Sequence, residues 1–299
     1  MRYATAGAFR AALEERLRVT AEQTGVPLVR LRKLVVFDRL IARLTVAAPD
    51  QWVLKGAVAL QFRLGPQFRT TRDLDLGRRE GAEAAMADFV AVQSTDLGDH
   101  FSFRAERTAK LDTIMEGAFI RYHVAAELAG RRFEDMTVDV APGDPLIGEA
   151  ELLRGPDLLG FADIPAVEVP VLPLEQHIAE KLHAYTRDYG ADRINTRVKD
   201  LIDVVLIGRL LTPRASLLTH ALDATFRLRA THPLPHQLPP PPGAWRVAYA
   251  RMAAEVGIAR DMERGLQEAR EFLEPVLKRS VSNNTQWDPS RRTWLQVPT

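Results

Sequence analysis

The segment Asp73-Leu74-Asp75-Leu76 constrains this chain more than any other. Successive side chains of a strand point to opposite faces, so the two leucines share one face and the two aspartates the other. Such a strand belongs to a sheet that is dry on one side. Two carboxylates ~7 Å apart on the other side repel each other, unless that face is solvated or a cation neutralises it. A solvated strand end accounts for a lone Asp-x-Asp. Oxygen ligands also suit Mg²⁺ or Mn²⁺, which bring nucleotide phosphates with them. Asp139 strengthens the second reading. It lies between Val138 and Val140 in a candidate strand over 133–141, and it too points away from the apolar side. Three acids on two strands can hold metal and activate a hydroxyl for in-line displacement.

The surroundings fit that sheet. Trp52-Val53-Leu54 reads as a short strand, followed by Lys55-Gly56-Ala57 and a helix from 57 to 64. Glycine just after a strand lets the backbone approach a phosphate, and the amides of a starting helix suit an anion. Lys55 would place a cation beside it. Further strands are expected near 71–76, 101–105, 119–128 and 133–141, with helices over 8–46, broken at Gly25-Val26-Pro27, and over 83–92. The first half is therefore a mixed α/β lobe (α+β in sequence order) with four or five strands. Residues 142–173 read as a connector with little regular structure. Helices follow at 174–188, 197–211, 214–230, 244–256 and 261–278. The six prolines between Pro233 and Gly243 make an ordered crossing loop. The expected division is 1–160 as the α/β domain, 161–280 as a helical domain, and 281–299 as a polar, flexible tail.

Composition removes several classes of function. Forty basic residues against thirty-nine acidic ones leave a net charge of +1, too little for charge-driven wrapping of nucleic acid. Without cysteine there are no disulfides, thiolate zinc sites or cysteine nucleophiles. No apolar run spans a membrane and Met1 to Glu14 does not read as a signal peptide, so a soluble cytoplasmic protein is the expectation. Dinucleotide-binding, P-loop, serine esterase and zinc protease motifs are missing.

Glycine with a small neighbour, then Asp-x-Asp about sixteen residues on, then an acid on a later strand resembles the polymerase-beta type of nucleotidyltransferase. More narrowly, Lys55-Gly56-Ala57-Val58-Ala59-Leu60 with Arg69-Thr70-Thr71-Arg72-Asp73-Leu74-Asp75 is similar to the AbiEii/AbiGii toxin family, which includes the MenT toxins. Glu180-Lys181-Leu182-His183-Ala184, Arg197-Val198-Lys199-Asp200-Leu201-Ile202-Asp203 and Arg229-Ala230-Thr231-His232-Pro233 resemble that family's later motifs, in order. Ala57 stands where the family has a second glycine or serine, which removes a side-chain contact and keeps the backbone amide.

The resemblance implies transfer of a nucleoside monophosphate from an NTP, with Mg²⁺ or Mn²⁺ on Asp73, Asp75 and Asp139. Asp139 would be a ligand or the base for the acceptor hydroxyl. Lys55, Gly56, Ala57, Lys181, Arg197 and Arg229 would bind nucleotide. Asp200 would orient Lys181 or the nucleotide, while Lys199 and Asp203 read as a surface i,i+4 pair. Thr71 would be a phosphorylation target of a partner antitoxin, since a phosphate there adds charge to an acidic site. His183 and His232 read as structural. The implied acceptor is the 3′ end of a tRNA, with Arg30, Arg32, Lys33 and Arg39, or Arg63 and Arg69, lining its groove. A protein or small-molecule acceptor, and a catalytically silent binding module, remain as alternatives.

Overall fold

Helix α1 (Ala6–Thr24) begins where Thr5 Oγ1 accepts a hydrogen bond from the Ala8 amide at 3.3 Å, and ends where Gly25 takes a left-handed φ of 71°. A threonine satisfies an otherwise unpaired amide there, and glycine reaches that φ without strain. The computed structural model describes residues 1–65, 68–69, 71–108, 119–189 and 197–297. They divide into two compact units: Met1–Pro145 with Ala150–Leu172, and Leu146–Glu149 with Pro173–Thr299.

The first unit continues through α2 (Leu28–Ala47), β1 (Trp52–Lys55), α3 (Gly56–Leu64), β2 (Asp73–Arg78), α4 (Ala82–Ser94), β3 (Phe101–Arg107), β4 (Ile120–Leu128), β5 (Arg131–Pro142), β6 (Glu151–Arg154) and β7 (Glu168–Val171). The seven strands form one sheet in the order β3-β4-β5-β2-β1-β7-β6. β2 pairs with β5, and β1 with β7, in parallel; the remaining neighbours are antiparallel. Leu54, Leu74, Leu76, Val138, Val140 and Ile120 fill the dry face, against which α2 and α4 pack. Each such side chain contributes roughly 1.5–3 kcal/mol. Helix α2 is largely buried, and several of its charged residues are paired inside the protein. Arg43, fully buried, donates to both oxygens of Asp99 at 2.9 and 2.6 Å and to the Phe101 carbonyl at 2.7 Å. This ties α2 to the start of β3.

Two sequence expectations change here. The sheet has seven strands rather than four or five. The stretch 142–173 is not a bare connector: it supplies β6 and β7, and it buries Leu159, Ala162, Ile164 and Val167 in the core. The first unit therefore runs to Leu172 rather than 160 and gives up only Leu146–Glu149.

The second unit holds α5 (Leu174–Thr186), α6 (Val198–Leu210), α7 (Ala215–Arg229), α8 (Arg246–Glu255) and α9 (Met262–Leu277), then β8 (Thr285–Asp288) and β9 (Thr293–Gln296). Asp261 caps α9 by accepting from the Arg264 amide at 2.7 Å. The proline-rich stretch is an ordered crossing, as expected. Leu238 is buried and its carbonyl accepts from Arg270 at 3.1 and 2.9 Å, while the Pro239 carbonyl accepts from the Tyr185 hydroxyl at 2.7 Å. The polar tail is corrected: residues 285–296 form a hairpin. Trp287 is buried beside Phe272, with ring centroids 5.1 Å apart, and its indole donates to the Gly208 carbonyl at 2.6 Å. Among the described residues no helix is long and apolar enough to cross a membrane.

Candidate active site

Four side chains form one row across the polar face of the sheet. Lys55 of β1 lies opposite Asp75 of β2, Asp75 opposite Asp139 of β5, and Asp139 opposite Arg121 of β4. Directly opposed residues share a face, so the row reads plus, minus, minus, plus. Asp73 is on the same face one step along β2, opposite Thr137. All three aspartates are partly buried.

Gly56 backs directly onto this row. Its φ is +61°, and a Cβ built there would lie 1.8 Å from Asp75 Oδ2. Only glycine lets the carboxylate sit so close to the start of α3. The side chain of Lys55, the residue before α3, does not cap the helix start, and Ala57 is buried in its first turn. The Lys55 stem lies over Gly77, and its ammonium pairs with Asp144. Thr71 Oγ1 donates to the Asp73 carbonyl at 3.1 Å, directly beside the acid pair.

The third acid is not free to converge with the other two. Arg121 Nε and Nη2 donate to Asp139 Oδ1 and Oδ2, both at 2.7 Å. Among the described residues no three histidine, aspartate or glutamate side chains are gathered into a metal cluster. Asp139 is the cross-strand neighbour of Asp75, and the Arg121 guanidinium holds both of its oxygens. Asp73 and Asp75, with an all-oxygen donor set and a carboxylate seated where Gly56 leaves room, still fit a hard divalent cation.

In the second unit, Lys181 of α5 is buried between two acids of α6. Its Nζ is 2.6 Å from Asp203 Oδ2 and 3.4 Å from Asp200 Oδ1. Asp203 is fully buried, so its expected surface pairing with Lys199 gives way to a buried one with Lys181. Asp200 Oδ2 is buried without a hydrogen-bond partner, and Arg197 is 3.9 Å from it. Arg197 also donates to the Tyr189 hydroxyl at 3.0 Å. Arg229 pairs with Glu180 at 3.5 Å. His183 and His232 hold a corner between α5 and the end of α7. Thr231 Oγ1 bridges their rings at 2.8 and 2.9 Å, and Thr186 Oγ1 meets His232 at 2.7 Å. Burial and then the Arg187 charge push the His232 titration below its ordinary value.

The basic clusters do not form the expected groove. Arg30 and Arg39 are buried, and Arg39 pairs with Asp38 and Asp99. Arg32 pairs with Glu14 and Lys33 with Glu134; Arg63 meets Glu151 and the Leu172 carbonyl, and Arg69 is buried beside Phe68. These cations are spent on packing. Sequence reasoning missed Arg121 and Asp144. Alternation in β4 puts Arg121 on the face opposite Ile120 and Tyr122, but its partner depends on register between strands, which has no local signal.

Residues 39–280 match the family model described as nucleotidyl transferase AbiEii toxin, type IV TA system. Among solved structures the chain is similar to MenT4, a nucleotidyltransferase toxin from Mycobacterium tuberculosis H37Rv. The two are 17% identical with a TM-score of 0.53, over 90% of this chain and 99% of that one. It is also similar to JHP933 from Helicobacter pylori, at 16% identity and a TM-score of 0.44 over 83% and 93% of the two chains. At 17% identity the likeness to MenT4 is one of fold. No curated protein matches by sequence.

Proposed function

Since the chain belongs to the AbiEii nucleotidyltransferase toxins of type IV toxin–antitoxin systems, we propose that it moves a nucleoside monophosphate from an NTP to an RNA hydroxyl, the 3′ end of a tRNA. The observation that carries this reading is the Asp75 carboxylate seated against Gly56 at the start of α3, with Asp73 and Lys55 on the same face. Carboxylates, an ammonium and the N-terminus of a helix in one place suit a triphosphate rather than a neutral substrate.

Asp73 and Asp75 would hold Mg²⁺ or Mn²⁺, which when bound supplies charge for the phosphates. Lys55 and the amides of Gly56 and Ala57 steady the triphosphate. The acceptor oxygen bonds to the α-phosphorus, the bond to the β-phosphate breaks, and pyrophosphate leaves with the electron pair. The hydroxyl proton passes to Asp139 through a lone pair that Arg121 does not use. Catalysis is then mainly positioning and charge stabilisation. In the second unit, Lys181 is the lysine the family resemblance assigns to phosphate and Asp200 its orienting acid, and the buried Oδ2 of Asp200, with no hydrogen-bond partner among the described residues, supports a role toward substrate. Arg197 and Arg229 contact phosphates. Phosphorylation of Thr71, hydrogen-bonded to the Asp73 backbone, would add charge at the acids and silence the site. An antitoxin protein is the expected source of that control.

Incubating the protein with Mg²⁺, each labelled NTP in turn and total tRNA tests the reading. Label should enter tRNA with at least one NTP and vanish in Asp73→Asn. Label in protein or in a small molecule instead would replace the acceptor. No transfer to any acceptor, and toxicity unchanged in Asp73→Asn, would make binding rather than chemistry the toxic act.

A further inference from the structure

We propose that the β8–β9 hairpin and the first turns of α9 form a phosphate-binding surface through which the second unit grips RNA, with Arg264, Arg291 and Arg292 as its cations. The inference deepens the RNA-acceptor reading above and rests on it.

Three observations carry it. First, the charges are layered. The Glu268 carboxylate lies beneath, 6% exposed, and Arg209 already donates to both of its oxygens at 2.6 and 2.8 Å. Arg264 and Arg292 also turn toward Glu268 Oε1, at 3.6 and 3.8 Å, beyond hydrogen-bond length. One buried carboxylate therefore faces three guanidiniums, and the two that it does not bond are 68% and 40% exposed. Arg292 has Glu271 at 2.7 Å as a second partner, whereas Arg264 meets no other acid among the described residues.

Second, the hairpin turn adds Arg291 and holds it in place. Arg291 is 71% exposed and 3.9 Å from Asp288 Oδ2. The other oxygen of Asp288 is occupied by the turn itself, accepting from the Ser290 hydroxyl at 2.6 Å and from the Ser290 and Arg291 amides at 2.8 and 3.1 Å. Below the turn Trp287 packs on Phe272, and the Trp294 indole donates to the Phe272 carbonyl at 3.0 Å. Cations carried on a fixed turn have less freedom to lose on binding than cations on a loose tail.

Third, no large apolar side chain of α9 or of the hairpin is exposed. A protein partner is anchored by an apolar or aromatic centre, which this surface does not offer. A phosphodiester chain needs only cations, and a guanidinium meets two phosphate oxygens at once. The hairpin also lies past the residues 39–280 that match the family model, so the match does not account for it.

Anisotropy of fluorescein-labelled total tRNA, titrated with the full chain over a range of salt, tests the surface without turnover. Arg264→Gln with Arg291→Gln should weaken binding about tenfold and make the salt slope shallower by roughly 1.4 to 1.8, the share of two phosphate contacts. The same pair changed to lysine should keep the slope. Arg18→Gln with Arg104→Gln removes two equally charged, exposed side chains of the first unit and should change neither quantity. Circular dichroism checks folding, and each single variant serves if the double one is not folded. Unchanged affinity and slope in the Arg264–Arg291 variant, with tRNA still bound, would overturn this inference and leave the RNA acceptor standing. An equal loss in the Arg18–Arg104 variant would also overturn it, since total charge would then explain the binding. Weaker binding of labelled polyglutamate with unchanged tRNA binding would give the surface to an acidic protein instead. No binding of tRNA by wild type would overturn both the surface and the RNA acceptor.

Discussion

Gly56 shows how far one missing side chain sets this site. Gly56→Ala asks for a positive φ that costs about 1–3 kcal/mol and for the space that Asp75 Oδ2 occupies. The variant should melt a few degrees lower and lose at least tenfold in Mn²⁺ affinity, read by calorimetry and metal titration. Lys181 makes the opposite case. Lys181→Met removes the buried cation that sits between Asp200 and Asp203, which should cost about 3–5 kcal/mol in urea unfolding. Lys181→Met with Asp203→Asn should recover part of that loss, so lost activity in the single variant must be read against lost stability. His232 gives a pH signature. Its folded-state titration lies below the ordinary 6.5, so the unfolded chain takes up the proton first as pH falls. Stability is complete above about 6.5 and declines below it, toward the folded-state value. Urea midpoints at pH 7.5, 6.5 and 5.5 should show that decline, and His232→Gln should flatten it.

Among the elements, the β8–β9 hairpin carries the clearest test. Trp287→Ala removes a ring packed on Phe272 and the hydrogen bond to Gly208, for a loss of about 3–5 kcal/mol. Denaturant midpoints followed by far-ultraviolet circular dichroism would measure it; a loss below about 1 kcal/mol would mean the hairpin merely decorates the helices. That hairpin was illegible in the sequence because its strands are four residues each and their apolar anchors are two tryptophans in polar surroundings. β7 was hidden for a related reason, since Val169-Pro170-Val171 is short and proline argues against a strand. The long strands were readable: the alternation from Ile120 to Leu128 and from Met136 to Val140 names the core face directly. Within the site, Asp73, Asp75 and Gly56 were legible because each answers to a local rule. The hold of Arg121 on Asp139 and of Lys181 on Asp203 was not, since both join residues from different elements.

For the whole molecule the relevant quantity is a net charge of +1, with most basic side chains near α2 already paired. An RNA acceptor must then be gripped by few cations. The logarithm of tRNA affinity should fall with the logarithm of salt at a slope no steeper than about −3, because each phosphate contact contributes roughly −0.7 to −0.9. Fluorescence anisotropy between 50 and 200 mM salt measures it, those concentrations being roughly the range over which counterion release dominates. A slope near −6 would mean an extended basic surface after all.

Leu146–Glu149 belongs with the second unit although the chain on both sides belongs with the first, and the Ile147 amide donates to Gln176 at 2.8 Å within that second unit. The polypeptide therefore changes units three times. No single cut separates them cleanly: a joint after Leu172 strands Leu146–Glu149, and one after Pro145 strands Ala150–Leu172. The two units must therefore be inherited, shuffled and engineered together rather than as interchangeable cassettes.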